Sequence, residues 1–150
     1  VMSEATTIEA ANAVVAQVSA AYGELALARD VAGFVALYAP DVVINDLFTP
    51  EPLVGVELWR TQVQAWFDSL EHGEGNFAGV EPLTVTASGD LIVAFGRVKY
   101  AALAADGSER YSMWNHITWV LRRGDDGKWL IAHEHTSVSL DESTMTPVFG

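Results

Sequence analysis

The chain has no cysteine and few basic residues, and each shortage excludes a class of function. Without cysteine there is no disulfide scaffold, no thiol nucleophile and no thiolate metal site. Only 8 Lys and Arg stand against 20 Asp and Glu, so the formal net charge is −12. Such a charge repels phosphate backbones and anionic membrane surfaces. Nucleic acid is therefore not an expected partner.

Long apolar runs are also missing. No stretch approaches the ~20 apolar residues of a membrane-spanning helix, and the N-terminus lacks the basic start and apolar block of a signal peptide. We therefore expect a soluble, cytoplasmic protein with no membrane partner. The 150 residues match the usual size of one domain, and no linker-like stretch divides them, so a single domain is predicted over 1–150.

Helical and strand patterns alternate in the first half of the chain. Apolar residues between 8 and 29 recur every three or four positions, which predicts a helix. A second short helix is predicted over 31–38 with Asp30 as its N-cap. The β-branched run at 42–48 predicts a strand, and a third helix is predicted near 56–70.

The second half is rich in β-branched and aromatic residues. Turn sequences containing Gly and Asp separate runs near 83–87, 91–103, 109–122 and 128–138. Strands joined by tight turns form an antiparallel meander, so the predicted fold class is α+β with the helices on one face of a curved sheet.

Asp46 is the first candidate for chemistry. In the predicted strand it shares a face with Val42, Ile44 and Phe48, where an ionised carboxylate would lose hydration. Such burial raises the pKa of a carboxyl toward the range of a general base. The alternative is that Asp46 ends the strand and caps the following turn.

Tyr22 is the second candidate. It lies on the core-facing stripe of the first helix, and a buried phenol requires a hydrogen-bond partner. Its hydroxyl could donate to a developing oxyanion. The alternative is an ordinary packing residue with one satisfied hydroxyl.

The long strand near 110–121 has large apolar groups on both faces. The face predicted to line a pocket carries Trp114, His116 and Thr118, and the other carries Ile117 and Trp119. His116 is either a hydrogen-bond donor to substrate or a core histidine satisfied by a neighbour. The opposite row, with Trp129, is predicted to meet a second subunit, which suggests a homodimer.

A pair of histidines on the last strand raises the question of a metal. His133 and His135 alternate onto one face, but no third ligand is evident nearby. Hydrogen bonding at the sheet edge is the stronger interpretation. The chain also contains no phosphate loop, nucleophile elbow or dinucleotide fingerprint. We therefore predict no metal and no cofactor.

Two segments resemble a known superfamily. The run YAPDVVIND at 38–46 and the run GKWLIAHEHTS at 127–137 are similar to the SnoaL-like branch of the nuclear transport factor two-like superfamily. The second run is also similar to the association domain of calcium/calmodulin-dependent kinase. The resemblance implies a cone-shaped α+β barrel, in which three helices pack on a strongly curved antiparallel or mixed sheet and enclose a pocket.

A comparison with ketosteroid isomerase, within the same superfamily, assigns roles. Aligned without a gap, Tyr22 falls on that family's oxyanion-hole tyrosine and Asp46 on its general-base aspartate. The family's second oxyanion donor is an aspartic acid, whereas this chain offers His116 or Thr118, which argues against steroid isomerisation. The same register points Glu134 of the last strand toward the pocket.

The predicted function is a cofactor-independent lyase or isomerase acting on a hydrophobic, aromatic or polycyclic, carbonyl or hydroxyl compound. Asp46 abstracts a proton, while Tyr22 and His116 stabilise the oxyanion. Predicted substrate contacts are Trp59, Trp66, Trp114, Thr118 and Glu134. Two alternatives stay open. One is a dehydratase, epoxide hydrolase or polyketide cyclase, and the other is a non-catalytic small-molecule-binding or oligomerisation module.

Overall fold

The computed structural model describes residues 6–71 and 73–150 and shows the predicted α+β fold. Its helices are α1 (Ile8–Ala28), α2 (Val31–Val35) and α3 (Val56–Asp68). Asp30 caps α2 as predicted, because its side chain accepts a hydrogen bond from the Gly33 N–H. None of the helices in the described residues is long and apolar enough to span a bilayer.

The strands form one large, mostly antiparallel sheet. They are β1 (Tyr38–Asn45), β2 (Leu53–Val54), β3 (Gly75–Val80), β4 (Thr84–Ser88), β5 (Leu91–Leu103), β6 (Glu109–Arg123), β7 (Trp129–Ser137), β8 (Ser139–Leu140) and β9 (Pro147–Val148). The sheet order is β2-β1-β7-β6-β5-β3, with β4 also paired to β5. The β1–β7 pair is parallel. β8 and β9 form a separate hairpin.

The sheet is open. Among the described residues β2 and β3 stand at its two ends, so the closed barrel implied by the resemblance is corrected. The second helix also ends earlier than predicted, at Val35. The reason is tertiary: Tyr38 pairs with Ile131 of β7, which draws residues that favour a helix locally into an extended strand.

The core lies between the helices and one face of the sheet. Trp119 is fully buried and Ile117 is 1% exposed, while the partly buried Trp129 packs against the same core. The row of Ile117, Trp119 and Trp129 therefore faces the helices, which corrects the prediction that this row meets a second subunit. Alternation along β6 defined two faces correctly, but both faces are apolar enough that the pattern did not show which one is covered.

A close approach between α1 and β3 fixes the position of the first helix. A Cβ atom at Gly23 would lie 2.9 Å from the backbone oxygen of Ala78. The Asn76 side-chain amide, on the same strand, donates to the carbonyl oxygen of Ala26 at 3.0 Å. This contact sets the depth at which the neighbouring Tyr22 enters the core.

Replacing Gly23 by Ala is expected to destabilise the protein, although the same change in most helices stabilises by up to about 1 kcal/mol. Forcing the helix away from the Ala78 carbonyl should produce a net loss of about 1–3 kcal/mol. Urea denaturation measures this, with the exposed Gln17→Ala on α1 as control, expected within about 0.5 kcal/mol of wild type. A Gly23→Ala variant as stable as wild type would contradict the close approach.

Candidate functional site

A cavity of about 310 Å³ lies between the helices and the inner face of the sheet. This volume is within the range of small-molecule sites. Its apolar walls are Leu47, Phe48, Trp59, Ala65, Trp66 and Met113. Its polar groups include two carboxyls, Asp46 and Glu134, and the phenols of Tyr22, Tyr100 and Tyr111. The cavity therefore combines an aromatic lining with a few convergent polar groups.

Glu134 on β7 is the most deeply buried acid of the cavity, with 1% of the residue exposed. Its Oε1 accepts two hydrogen bonds, from the Tyr38 hydroxyl at 2.6 Å and from Trp119 Nε1 at 2.8 Å. Burial raises the pKa of Glu134 to about 7, although both hydrogen bonds act in the opposite direction. The nearby Asp46 charge raises it further. Glu134 therefore changes charge near neutral pH.

Asp46 follows the end of β1 and is half-buried. Its Oδ2 accepts a hydrogen bond from the Phe48 N–H at 3.0 Å, so it does cap the turn. It also lines the cavity, so both interpretations of this residue describe its position. Burial raises the pKa of Asp46, and hydrogen bonds from the backbone N–H groups of Phe48 and Leu47 partly oppose the shift.

The parallel pairing of β1 with β7 brings the two acids to one face. Ile44 pairs with Glu134 and Asn45 with His135, so the next pair along would set Asp46 beside Thr136. The Leu47 N–H donates to Thr136 Oγ1 at 3.3 Å, which extends the contact between the two chain segments. Asp46 and Glu134 are therefore diagonal neighbours, close enough to interact electrostatically.

Two tyrosines line the same cavity as these acids. The hydroxyl oxygens of Tyr22 and Tyr100 are 2.5 Å apart and form a hydrogen bond. Burial raises the pKa of both phenols, so both remain protonated at neutral pH. Because one hydroxyl donates to the other, the second keeps a proton that it can donate to a ligand. The pair therefore suits an oxygen atom that gains negative charge.

Aromatic side chains form both the wall and the opening of the cavity. Trp59 and Trp66, two of the predicted substrate contacts, line it from α3. Phe48 is 71% exposed and Tyr111 is 59% exposed, yet both also line the cavity. Their rings therefore stand where the cavity meets solvent. A flat hydrophobic ligand would contact aromatic faces along its whole path.

Three of the predicted site residues lie on the opposite face of the sheet. Trp114, His116 and Thr118 alternate with the buried residues of β6, so they point away from the cavity. His116 Nε2 lies 3.3 Å from Ser139 Oγ, and the Arg97 guanidinium stacks 4.4 Å above the Trp114 ring. The prediction that these three residues lie in the pocket is therefore corrected. The reason is the one given for Ile117 and Trp119: alternation along β6 defines two faces but does not identify the face that the helices cover.

Because the two faces of β6 were exchanged in the prediction, residues that do line the cavity were not predicted. Asn115 is buried there in place of its neighbour His116, and its Oδ1 accepts no hydrogen bond from the part of the chain that the structure describes. Tyr100 of β5 also lines the cavity and was not among the predicted site residues. The signal for it is strand alternation: the neighbouring Lys99 pairs with Glu109 at the surface, so Tyr100 faces inward. The pairing of Tyr38 with Glu134 spans 96 positions, and no local pattern indicates it.

The last-strand histidines do not face the cavity. His133 Nδ1 donates to the carbonyl of Val43 on the neighbouring β1 at 2.7 Å, inside the sheet and not at the predicted sheet edge, and His135 is exposed. Within residues 6–71 and 73–150, no group of three or more His, Asp or Glu residues is arranged to hold a metal ion.

Comparisons with known proteins agree with this architecture. The model of a family described as SnoaL-like domain matches residues 15–141. An NTF2-like protein of unknown function from Pseudomonas putida KT2440 has a TM-score of 0.78 at 24% identity, over 96% of this chain and 97% of that chain. A putative calcium/calmodulin-dependent protein kinase II association domain from Xanthomonas campestris has a TM-score of 0.68 at 20% identity, over 95% of this chain and 96% of that chain.

A third solved structure contains a ligand. It is a Catenulispora acidiphila protein in complex with S-DNPA, with a TM-score of 0.72 at 18% identity, over 86% of this chain and 93% of that chain. No curated protein shows significant similarity to this chain. At these identities the likenesses to solved structures establish the fold alone.

The raised pKa of Glu134 predicts a pH-dependent stability. The core accommodates the protonated carboxyl better than the carboxylate. The contribution of Glu134 to the stability of the protein is therefore fully present below the ordinary pKa of 4.5 and is lost as pH rises through about 7. At 1.36 kcal/mol per pKa unit, the stability of wild type relative to Glu134→Gln should fall by roughly 3 kcal/mol between about pH 4 and about pH 8.

Urea denaturation of both proteins across this range measures the difference. Glu24→Gln, at an exposed position on α1, provides the matched control and should show no comparable fall. A difference between wild type and Glu134→Gln that stays constant with pH would contradict the shifted pKa.

Proposed function

The chain belongs to the SnoaL-like domain family, and on this premise we propose that it is a cofactor-independent lyase or isomerase using general acid/base chemistry. The substrate is a hydrophobic carbonyl or hydroxyl compound bound in the cavity between the helices and the sheet. One observation supports this most directly: the Asp46 carboxyl and the Tyr22 phenol line the same cavity. A base and a hydrogen-bond donor on one small cavity are the minimum that enolisation requires.

In the proposed reaction Asp46 acts as the base. Its half-buried position lets it reach the ligand while burial raises its pKa, which strengthens it as a proton acceptor. It removes a proton from a carbon next to a carbonyl group, and the C–H bonding pair becomes the double bond of an enolate. The hydrogen-bonded pair of Tyr22 and Tyr100 donates to the oxygen on which negative charge develops.

The lining of the cavity supports a hydrophobic substrate without a negative charge. Trp59 and Trp66 offer aromatic faces, and Phe48 and Tyr111 do so at the opening. The described lining residues include no Lys, Arg or His to pair with an anion, whereas they include two acids. A carboxylate or phosphate would therefore meet repulsion. The S-DNPA complex of the Catenulispora acidiphila structure supports the use of this fold for small-molecule binding.

We further propose that residues 1–150 form a single cytoplasmic domain and that it acts as a homodimer. The exposed face of the sheet that carries Trp114, His116 and Phe95 is the surface available to a second subunit. This places the dimer contact on the face opposite to the cavity.

Replacing Asp46 by Asn should abolish most of the activity without unfolding the protein. The assay is exchange of carbon-bound hydrogen for deuterium in a panel of hydrophobic ketones such as 2-tetralone and 1-indanone, followed by proton NMR. We expect the exchange rate to fall by a factor on the order of 10²–10⁴, because the general base is lost.

Asp41→Asn is the matched control, since Asp41 lies on β1, which ends directly before Asp46, but is exposed and paired with Arg122 outside the cavity. It should exchange like wild type. An Asp46→Asn variant that retains wild-type exchange would refute Asp46 as the base. Ketones that bind without any exchange in wild type would favour a non-catalytic binding module instead.

A further inference from the structure

The two oxygens of Glu134 have different surroundings. Oε1 accepts hydrogen bonds from both Tyr38 and Trp119, which occupies its lone pairs. Among residues 6–71 and 73–150, no residue hydrogen-bonds to Oε2. Since Glu134 also lines the cavity, Oε2 is the oxygen a ligand can reach. One oxygen of this carboxyl is therefore fixed by two hydrogen bonds, and the other takes no partner from the described residues and is left to a ligand.

The groups that face Glu134 determine its charge. Asp46 and Tyr38 approach it from the β1 segment, Tyr22 from α1 and Tyr100 from β5. None of these groups is a cation, so Glu134 has no ion-pair partner among them. The tyrosines remain protonated because they are buried. The two carboxyls therefore compete, and the like charge of one opposes ionisation of the other.

The burial of the two acids decides which one keeps a proton. Asp46 is half-buried and receives backbone hydrogen bonds, which stabilise its carboxylate. Glu134 is almost completely inaccessible to solvent, so its ionisation costs more. When Glu134 is protonated, the proton belongs on Oε2, because Oε1 already accepts two hydrogen bonds. The free O–H of Glu134 consequently faces the ligand space, diagonal to the Asp46 carboxylate.

We propose that Glu134 is a second catalytic residue of this site, an acid whose Oε2–H donates to the substrate oxygen while Asp46 removes the carbon-bound proton. This inference rests on the proposed function and replaces His116 as the partner of the base. His116 lies on the other face of the sheet, whereas Glu134 and Asp46 line one cavity.

The step conserves protons and electrons. Asp46 takes the proton from the carbon next to the carbonyl, and the C–H bonding pair becomes the carbon–carbon double bond of an enol. The carbonyl π pair moves to oxygen, which takes the Oε2 proton of Glu134. Glu134 becomes a carboxylate that Tyr38 and Trp119 stabilise through Oε1. In the return step the enol gives its proton back to Glu134, and Asp46 delivers its proton to carbon.

The first experiment locates the proton. The infrared carbonyl stretch of a protonated carboxyl should be visible in wild type at about pH 6, where ordinary carboxyls are ionised. The band should disappear in Glu134→Gln and persist in Glu24→Gln, the exposed control. In Asp46→Asn the band should be lost at a lower pH than in wild type, because a like charge has been removed. Absence of the band from wild type overturns the inference.

The second experiment tests catalysis by the deuterium exchange of 2-tetralone as a function of pH. Wild type should show a bell-shaped profile, falling at low pH as Asp46 becomes protonated and at high pH as Glu134 loses its proton. Glu134→Gln should exchange about 10²-fold more slowly and should lack the high-pH decline, because an amide donates without ionising. A purely structural role for Glu134 would leave that decline in place.

The outcomes separate this inference from the proposed function. If Asp46→Asn loses exchange while Glu134→Gln keeps the wild-type rate and profile, Glu134 is not the acid and the proposed function stands. If Asp46→Asn retains exchange, the proposed function fails and the catalytic role of Glu134 fails with it, whereas the infrared band still reports its protonation. Should Glu134→Gln not fold, the pH at which Asp46→Asn loses the band decides the location of the proton.

Discussion

A carboxyl group buried in the core is the constraint on which the rest of this structure depends. Ionising Glu134 inside the protein is costly unless hydrogen bonds compensate. The Tyr38 hydroxyl and the Trp119 indole provide two such bonds, and they connect β1 and β6 to β7 at one point. Neither donor is charged, so they orient the carboxyl without fixing it as an anion. The fold therefore holds an acid that gains or loses a proton near pH 7.

The rest of the cavity follows from that arrangement. The parallel β1–β7 pairing sets Asp46 diagonal to Glu134, so two carboxyls with different burial share one space. Tyr22 and Tyr100 share the cavity with them and add a pair of phenols that stay protonated. Acids and bases separated by environment are a common basis for proton transfer at neutral pH. The aromatic walls then select a hydrophobic ligand, and the absence of cations among the described lining residues disfavours an anionic one.

Much of the fold, but only part of the site, could be predicted from the sequence. The predicted bounds of the strand at 91–103 coincide with β5, because Gly-containing turns delimit it on both sides. By contrast β3 was missed: GNFAGV contains two glycines and few β-branched residues, and it becomes a strand only by pairing with β5. The orientation of β6 was predicted wrongly for a different reason. The rows on both of its faces are apolar, and only the tertiary contacts show which row the helices cover. The periodicity of the first helix and the first strand singled out Tyr22 and Asp46, and the family resemblance gave them roles. The contact of Tyr38 with Glu134, in contrast, depends on the pairing of distant segments.

The most direct test of the account is a crystal structure with 2-naphthol, a neutral, flat and hydrophobic phenol. We predict that its ring lies against Trp59 and Trp66 and that its oxygen accepts hydrogen bonds from the Tyr22–Tyr100 pair and from Glu134 Oε2, beside Asp46. A ligand bound instead on the outer face of the sheet, between Arg97, Trp114 and His116, would contradict the assignment of the inner cavity as the active site.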